Sequence, residues 1–248
     1  MVAVAVAATR VLAEKGIVPD MAAGLSLGEY SALYAAGAFD AKTALSLARF
    51  RGQAMERAVE GMNGKMAAVL GLERDALQSA CDEAGSLGTV QIANYNCPGQ
   101  MVIGGVAAAV DKASEAAIAK GARRVLPLNV SGPFHTSLLA PAAEKLADRL
   151  SKTAISGLKI PVVFNATART LQPGESVAGL LIRQVMSPVY FEDSIRFMER
   201  EGITTIIEIG PGRVLGGFVR KTCPSITVYS VEDAASVETA AAAIRAAG

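Results

Sequence analysis

A serine, a histidine and an arginine are the residues of this chain whose setting suggests chemistry. Gly24-Leu25-Ser26-Leu27-Gly28 is a G-x-S-x-G between an apolar run, Met21-Ala-Ala-Gly24, and a helix-forming segment, Tyr30 to Ala36. Strand, tight turn and helix in that order make a nucleophile elbow. Its glycines let the chain turn so sharply that the serine hydroxyl projects from it, beside a helix N-terminus and the Leu27 N–H. The plainer reading is an ordinary Gly/Ser turn. A serine nucleophile needs a base, and a neutral imidazole is the usual one. The only histidine, His135, lies in the loop Asn129-Val-Ser-Gly-Pro-Phe-His-Thr136 and is either that base or a histidine satisfied by nearby backbone. Arg51, on a helix with largely apolar neighbours, is either an exposed arginine or a bidentate clamp for a carboxylate, a geometry that the planar guanidinium makes better than lysine does.

Other chemistries find little support. Gly210-Pro211-Gly212-Arg-Val-Leu-Gly216 follows a strand but has the wrong residues and spacing for a dinucleotide fingerprint, and reads as a turn. Cys81, Cys97 and Cys223 are widely spaced and odd in number, which fits reduced thiols rather than a disulfide framework or a zinc site. With one histidine a poly-His metal centre is impossible, and neither metal nor cofactor is expected. The 24 Lys+Arg against 23 Asp+Glu leave a net charge of +1, so no whole-protein field points to nucleic acid or anionic lipid. A charged partner must be met by a local patch.

The elements that position these residues follow from periodicity. The 51% hydrophobic content of the 248 residues supplies a sizeable core. Met1 to Ala8 looks superficially like the apolar part of a signal peptide, but no basic segment precedes it, and it reads as a buried helix running on to Gly16. No other segment approaches the ~20 apolar residues of a membrane span, so a cytoplasmic protein without membrane contact is expected. A helix follows from Ala41 to about Val59. From Lys65 to Leu128 six elements run strand, helix, strand, strand, helix, strand, with Asn94-Tyr-Asn-Cys-Pro-Gly99 as the turn between the middle strands. That βαββαβ order predicts a ferredoxin-like small subdomain over 65–128. Strand and helix alternate again towards the C-terminus, which argues for a mostly parallel sheet covered on both faces. The expected fold is α/β: an α/β-hydrolase-like large subdomain, from 1–64 and 129–248, with the small subdomain inserted.

Six blocks together carry a resemblance: Gly24-Leu-Ser-Leu-Gly-Glu-Tyr-Ser-Ala32, Arg51-Gly-Gln, Asn94-Tyr-Asn-Cys-Pro-Gly-Gln100, Gly132-Pro-Phe-His135, Gln184-Val-Met-Ser-Pro188 and Glu208-Ile-Gly-Pro-Gly212. In this order, nearly end to end, they resemble the malonyl-CoA:acyl carrier protein transacylases of fatty-acid synthesis. The resemblance implies that Ser26 carries the acyl group, that His135 is its base, and that Arg51 holds the free malonyl carboxylate. It implies that Gln184 orients His135 through its backbone carbonyl, a Ser-His dyad without an acidic side chain, and that Leu27 gives an N–H to the oxyanion hole. Leu25, Phe134, Asn94 and Asn96 fall at the substrate pocket. Leu25 stands where many members carry histidine, and Phe134 matches the malonyl-selective pattern. The family opens with a strand and a Pro-Gly-Gln-Gly loop whose glutamine is the second oxyanion donor. This chain carries no such segment, and its start is expected to lie downstream of the family's own.

The implied reaction is ping-pong transfer of malonyl from malonyl-CoA, through malonyl-Ser26, to the phosphopantetheine thiol of acyl carrier protein, by a monomer. Carrier proteins are acidic, so a basic docking patch is expected; Lys120, Arg123, Arg124, Arg220 and Lys221 are candidates by clustering, or else solvated surface charges. The rivals are a serine thioesterase or hydrolase, and an inactive truncated binder of CoA or carrier protein. A hydrolase triad would normally place an acid before the histidine. Here none lies between Glu115 and His135.

Overall fold

Short apolar runs alternating with longer amphipathic ones give nine strands and ten helices among residues 1–247, the residues described by the computed structural model. In chain order they are α1 (Val2–Glu14), β1 (Ala22–Ala23), α2 (Gly28–Ala35), α3 (Ala41–Ala58), β2 (Gly64–Leu70), α4 (Arg74–Ala84), β3 (Val90–Cys97), β4 (Gln100–Val106), α5 (Ala107–Ala119) and β5 (Arg124–Pro127). There follow α6 (Ala140–Ser151), β6 (Val162–Val163), α7 (Val177–Val185), β7 (Val189–Tyr190), α8 (Phe191–Arg200), β8 (Thr205–Ile209), α9 (Val214–Thr222), β9 (Thr227–Val231) and α10 (Ala234–Ala247). Contacts divide the chain into two units, one of residues 1–48, 154–172 and 192–248, the other of 49–153 and 173–191. The ferredoxin-like run 65–128 lies wholly in the second.

In the first unit both strand pairs are parallel. β1 pairs with β6, Ala22 opposite Val162 and Ala23 opposite Val163, and β8 pairs with β9 over five residues from Thr205–Thr227 to Ile209–Val231. Parallel neighbours need a long crossover between them, and here helices supply it. α1 is amphipathic rather than buried all round: Val2, Ala5, Val6 and Leu12 are buried while Val4 and Val11 are exposed. Its Leu12 packs with Val231, Val237 and Ala240. The start of α3 is capped by Asp40, whose Oδ1 accepts the Thr43 N–H at 2.7 Å.

The second unit is built on a five-stranded sheet in the order β5-β2-β4-β3-β7. The first four strands pair antiparallel throughout, the ferredoxin-like arrangement expected from the βαββαβ order. α4 and α5 cover one face, where Leu77, Cys81 and Val110 pack on Val69, Met101 and Ile103. On the other, Met66, Ala93 and Val102 pack together with Phe134 beside them.

One expectation changes here. Asn94 to Cys97 are not part of a turn; β3 continues to Cys97, and only Pro98 and Gly99, the latter at φ +67°, turn the chain. Asn, Pro and Gly signal a turn locally, but β4 on one side and β7 on the other supply partners for this stretch. Asn94 lies opposite both Val102 and Val189, and Tyr95 stacks on Tyr190 with ring centroids 5.0 Å apart. Register shifts between Ile92 and Asn94 and between Tyr95 and Cys97 absorb the irregularity as bulges. β7, a two-residue strand directly after Pro188, is too short to show any alternation in the sequence.

Candidate active site

Ser26 adopts φ +52°, left-handed backbone that is uphill for any residue with a Cβ. Its surroundings hold it there. Parallel pairing of β1 with β6 carries Asn165 alongside the turn that follows β1. The Asn165 side chain, 1% exposed, accepts the Ser26 N–H on Oδ1 at 2.6 Å and donates from Nδ2 to the Gly24 carbonyl at 2.7 Å. The Asn165 N–H donates in turn to Oε2 of the buried Glu29, at 2.7 Å. Gly24 can only be glycine, because a Cβ there would lie 2.1 Å from the carbonyl carbon of Gly28. α2 starts immediately after the elbow, with Leu27 at its N-cap already helical and the Gly28 N–H on the Leu25 carbonyl. Leu25 and Leu27 are half-buried. The sequence singles out the serine but neither Asn165 nor Glu29 as its support, because the hydrogen bonds of Asn165 to the elbow and to Glu29 span 136 to 141 positions.

His135 and Arg51 lie in the second unit, joined through Gln184. His135 is 5% exposed, with φ +61°, and its Nδ1 is 2.9 Å from the Gln184 carbonyl oxygen. A carbonyl only accepts, so Nδ1 carries the hydrogen and Nε2 presents a lone pair, the tautomer a general base needs. Burial first and the Arg51 guanidinium second push the His135 pKa down to about 4, against the opposing effect of backbone acceptors at Gln184 and Ser187. The loop is tied by the Thr136 hydroxyl on the Pro133 carbonyl at 2.7 Å, and a Cβ on Gly132 would meet Val59 at 2.6 Å.

Arg51 is 5% exposed, which decides against a surface arginine; its Nη2 donates to Gln184 Oε1 at 3.1 Å. One fully buried glutamine on α7 thus holds the histidine by its main chain and the arginine by its side chain. Asn94 and Asn96 are buried on β3, and Phe134 is half-buried in the loop before His135. Ser26, Leu25 and Leu27 belong to the first unit; His135, Arg51, Gln184, Phe134, Asn94 and Asn96 belong to the second.

The Gly210–Gly212 segment is a turn, with Gly210 at φ +134° and Gly212 at φ +92°. Glu208 occupies the start of α9, accepting the Leu215 and Gly216 N–H groups at 2.8 and 2.9 Å, so the amides a phosphate would use are already bound to a carboxylate. Of the basic candidates, Lys120 pairs with Glu83, while Arg123, Arg124, Arg220 and Lys221 are exposed. All three cysteines are buried and unbridged. Among the described residues no cluster of His, Cys, Asp and Glu could hold a metal ion, and no helix is long and apolar enough to cross a membrane.

Comparison with known proteins matches residues 1–246 to the acyl transferase domain family. The malonyl CoA-acyl carrier protein transacylase of Bacillus subtilis is 47% identical over 228 residues, which cover 92% of this chain and 72% of that protein. The crystal structure of MCAT from Streptococcus pneumoniae superimposes with a TM-score of 0.93 at 49% identity, covering 98% of this chain and 79% of the other. A chain of a solved complex, a type II PKS acyl-carrier protein (holo) with its malonyl-transacylase, superimposes with a TM-score of 0.94 at 40% identity, covering 98% of this chain and 79% of that one. A strand–turn–helix elbow, a backbone-held histidine and a match over nearly the whole chain lead to one assignment: the chain belongs to the acyl transferase family, among its malonyl-CoA:acyl carrier protein transacylases.

Proposed function

We propose that this chain transfers a malonyl group from malonyl-CoA to the phosphopantetheine thiol of acyl carrier protein. The observation that carries the reading is the buried Gln184, which ties the guanidinium suited to a carboxylate and the imidazole suited to a base into one cluster. In the first half-reaction the Ser26 hydroxyl adds to the thioester carbonyl while His135 Nε2 takes its proton. The oxyanion is met by the Leu27 N–H, and the tetrahedral species collapses with loss of the CoA sulfur, which takes the proton back. Malonyl-Ser26 and free CoA result. In the second, the carrier thiol adds to the Ser26 ester, gives its proton to His135, and leaves as the malonyl thioester while the proton returns to Ser26.

Arg51 fits the free carboxylate of malonyl, and the family resemblance makes Leu25, Phe134, Asn94 and Asn96 the candidate substrate contacts. No cofactor is needed. The acidic carrier protein would approach exposed cations such as Arg123, Arg124, Arg220 and Lys221, and CoA thioesters with three reduced thiols fit a cytoplasmic working place. The test is an intact-mass measurement after mixing with malonyl-CoA. A malonyl adduct is expected on Ser26, absent in Ser26→Ala and discharged by holo carrier protein to malonyl carrier. Folded wild type without an adduct refutes the covalent route, and malonate released in place of malonyl carrier makes the chain a thioesterase.

A further inference from the structure

We propose that Asn165 is a positioning residue for the nucleophile, an inference that rests on Ser26 being the acyl-carrying serine. Ser26 sits at φ +52°, a conformation it keeps only if its surroundings oppose relaxation. Rotation of either peptide flanking Leu25 is the natural route of relaxation. The Asn165 side chain blocks both at once, because it binds the N–H of Ser26 and the carbonyl of Gly24, the two ends of the turn. The clamp is itself anchored: the Asn165 N–H is bonded to Glu29 in the first turn of α2, the helix that leaves the elbow. Elbow, asparagine and helix therefore form a closed ring of hydrogen bonds.

The residue type follows from this geometry. A single short planar group must accept from one backbone group and donate to another, which a side-chain amide does at any pH. A carboxylate there would set oxygen against the Gly24 oxygen, and a hydroxyl would fall short of spanning both. The β1–β6 ladder, two residues on each strand, offers little else to fix the turn sideways. At 1% exposure no bulk water can replace the bonds. Asn165 does this work through Ser26 and needs no contact with the substrate.

The test compares wild type, Asn165→Asp and Asn165→Leu in a single-turnover reaction with malonyl-CoA, following the Ser26 adduct by rapid quench and intact mass. Misplacing a reacting group by about 1 Å costs about 10²-fold in rate. Asn165→Leu, lacking both bonds, is therefore expected to label to the wild-type end point about 10²-fold more slowly, with the half-saturating malonyl-CoA concentration unchanged. Asn165→Asp, which keeps the acceptor for the Ser26 N–H but sets oxygen against the Gly24 oxygen, is expected to be slowed as well. Labelling at the wild-type rate overturns the proposal. So does a lower end point with the remaining sites reacting at the wild-type rate, since that is loss of folded protein alone. If Asn165→Leu does not fold, Asn165→Asp decides. The Ser26 amide, protected from hydrogen exchange in wild type and unprotected in the variant, reports the clamp even without acyl transfer; a wild type that forms no adduct marks failure of the functional reading instead.

Discussion

Mild acid should leave acylation of Ser26 untouched well below the usual histidine range. His135 is pushed from 6.5 down to about 4, by burial first and by the Arg51 guanidinium second. At a pH of about 5.5 an ordinary imidazole is about nine-tenths protonated, whereas a group titrating at about 4 is still about 97% neutral. The base should therefore be about tenfold more available there than an unperturbed histidine, and the acylation rate, read by rapid quench and intact mass, should stay level from about pH 8 to about 5.5. The same shift sets a stability slope. Between about 6.5 and about 4 the unfolded chain binds a proton at His135 that the native state refuses, so this contribution is fully present above 6.5 and is lost as pH falls towards 4, by about 3 kcal/mol in all. Denaturant unfolding of wild type against His135→Gln should show the slope only in the wild type. A half-loss of acylation near 6.5, with no difference between the two stability profiles, would refute the reasoning.

Two further outcomes follow from the same geometry. Removing the guanidinium in Arg51→Met should slow acylation by malonyl-CoA by about 10–10²-fold, the worth of charge-assisted hydrogen bonds to a carboxylate, and leave acetyl-CoA nearly unaffected; it should also raise the pH at which His135 protonates. Glu208→Ala strips the start of α9 of its carboxylate and should cost about 1–2 kcal/mol in urea unfolding, while the rate of adduct formation at Ser26 stays at the wild-type value.

What could be read before any coordinates were known was whatever is encoded locally or by scarcity. The elbow announces itself in five consecutive residues, and a lone histidine is the default candidate for the base once a serine nucleophile is proposed. The βαββαβ run is legible because each element is long enough to show its period. Arg51 stayed ambiguous from its own neighbours, because burial is a property of what packs over α3. Asn165 was invisible: its partners Ser26 and Glu29 are 139 and 136 positions away in the chain, and no local pattern marks an asparagine whose role is set by a parallel strand pair. The Asn94–Cys97 stretch was misread for the same cause in reverse, since its composition advertises a turn and its strand character comes from β4 and β7. The burial of α1 was overestimated from its monotony of Ala and Val.

His135 leans on a peptide carbonyl where many serine enzymes supply a carboxylate. A dipole steadies the ring but stabilises its cation far less than a full negative charge would, so the imidazolium that the proposed mechanism forms in each half-reaction is a stronger acid than an ordinary one and surrenders its proton readily. The two thiols competing for that proton, on CoA and on the carrier, end in the same phosphopantetheine arm. In the proposed reaction each half therefore exchanges a phosphopantetheine thioester for the same serine ester, and, as with any catalyst, the balance between them is left to the concentrations of the two thiols. Such a protein behaves as an exchange valve between the free and carrier-bound acyl pools, and the direction of flow is set by whichever reactions fill one pool and drain the other.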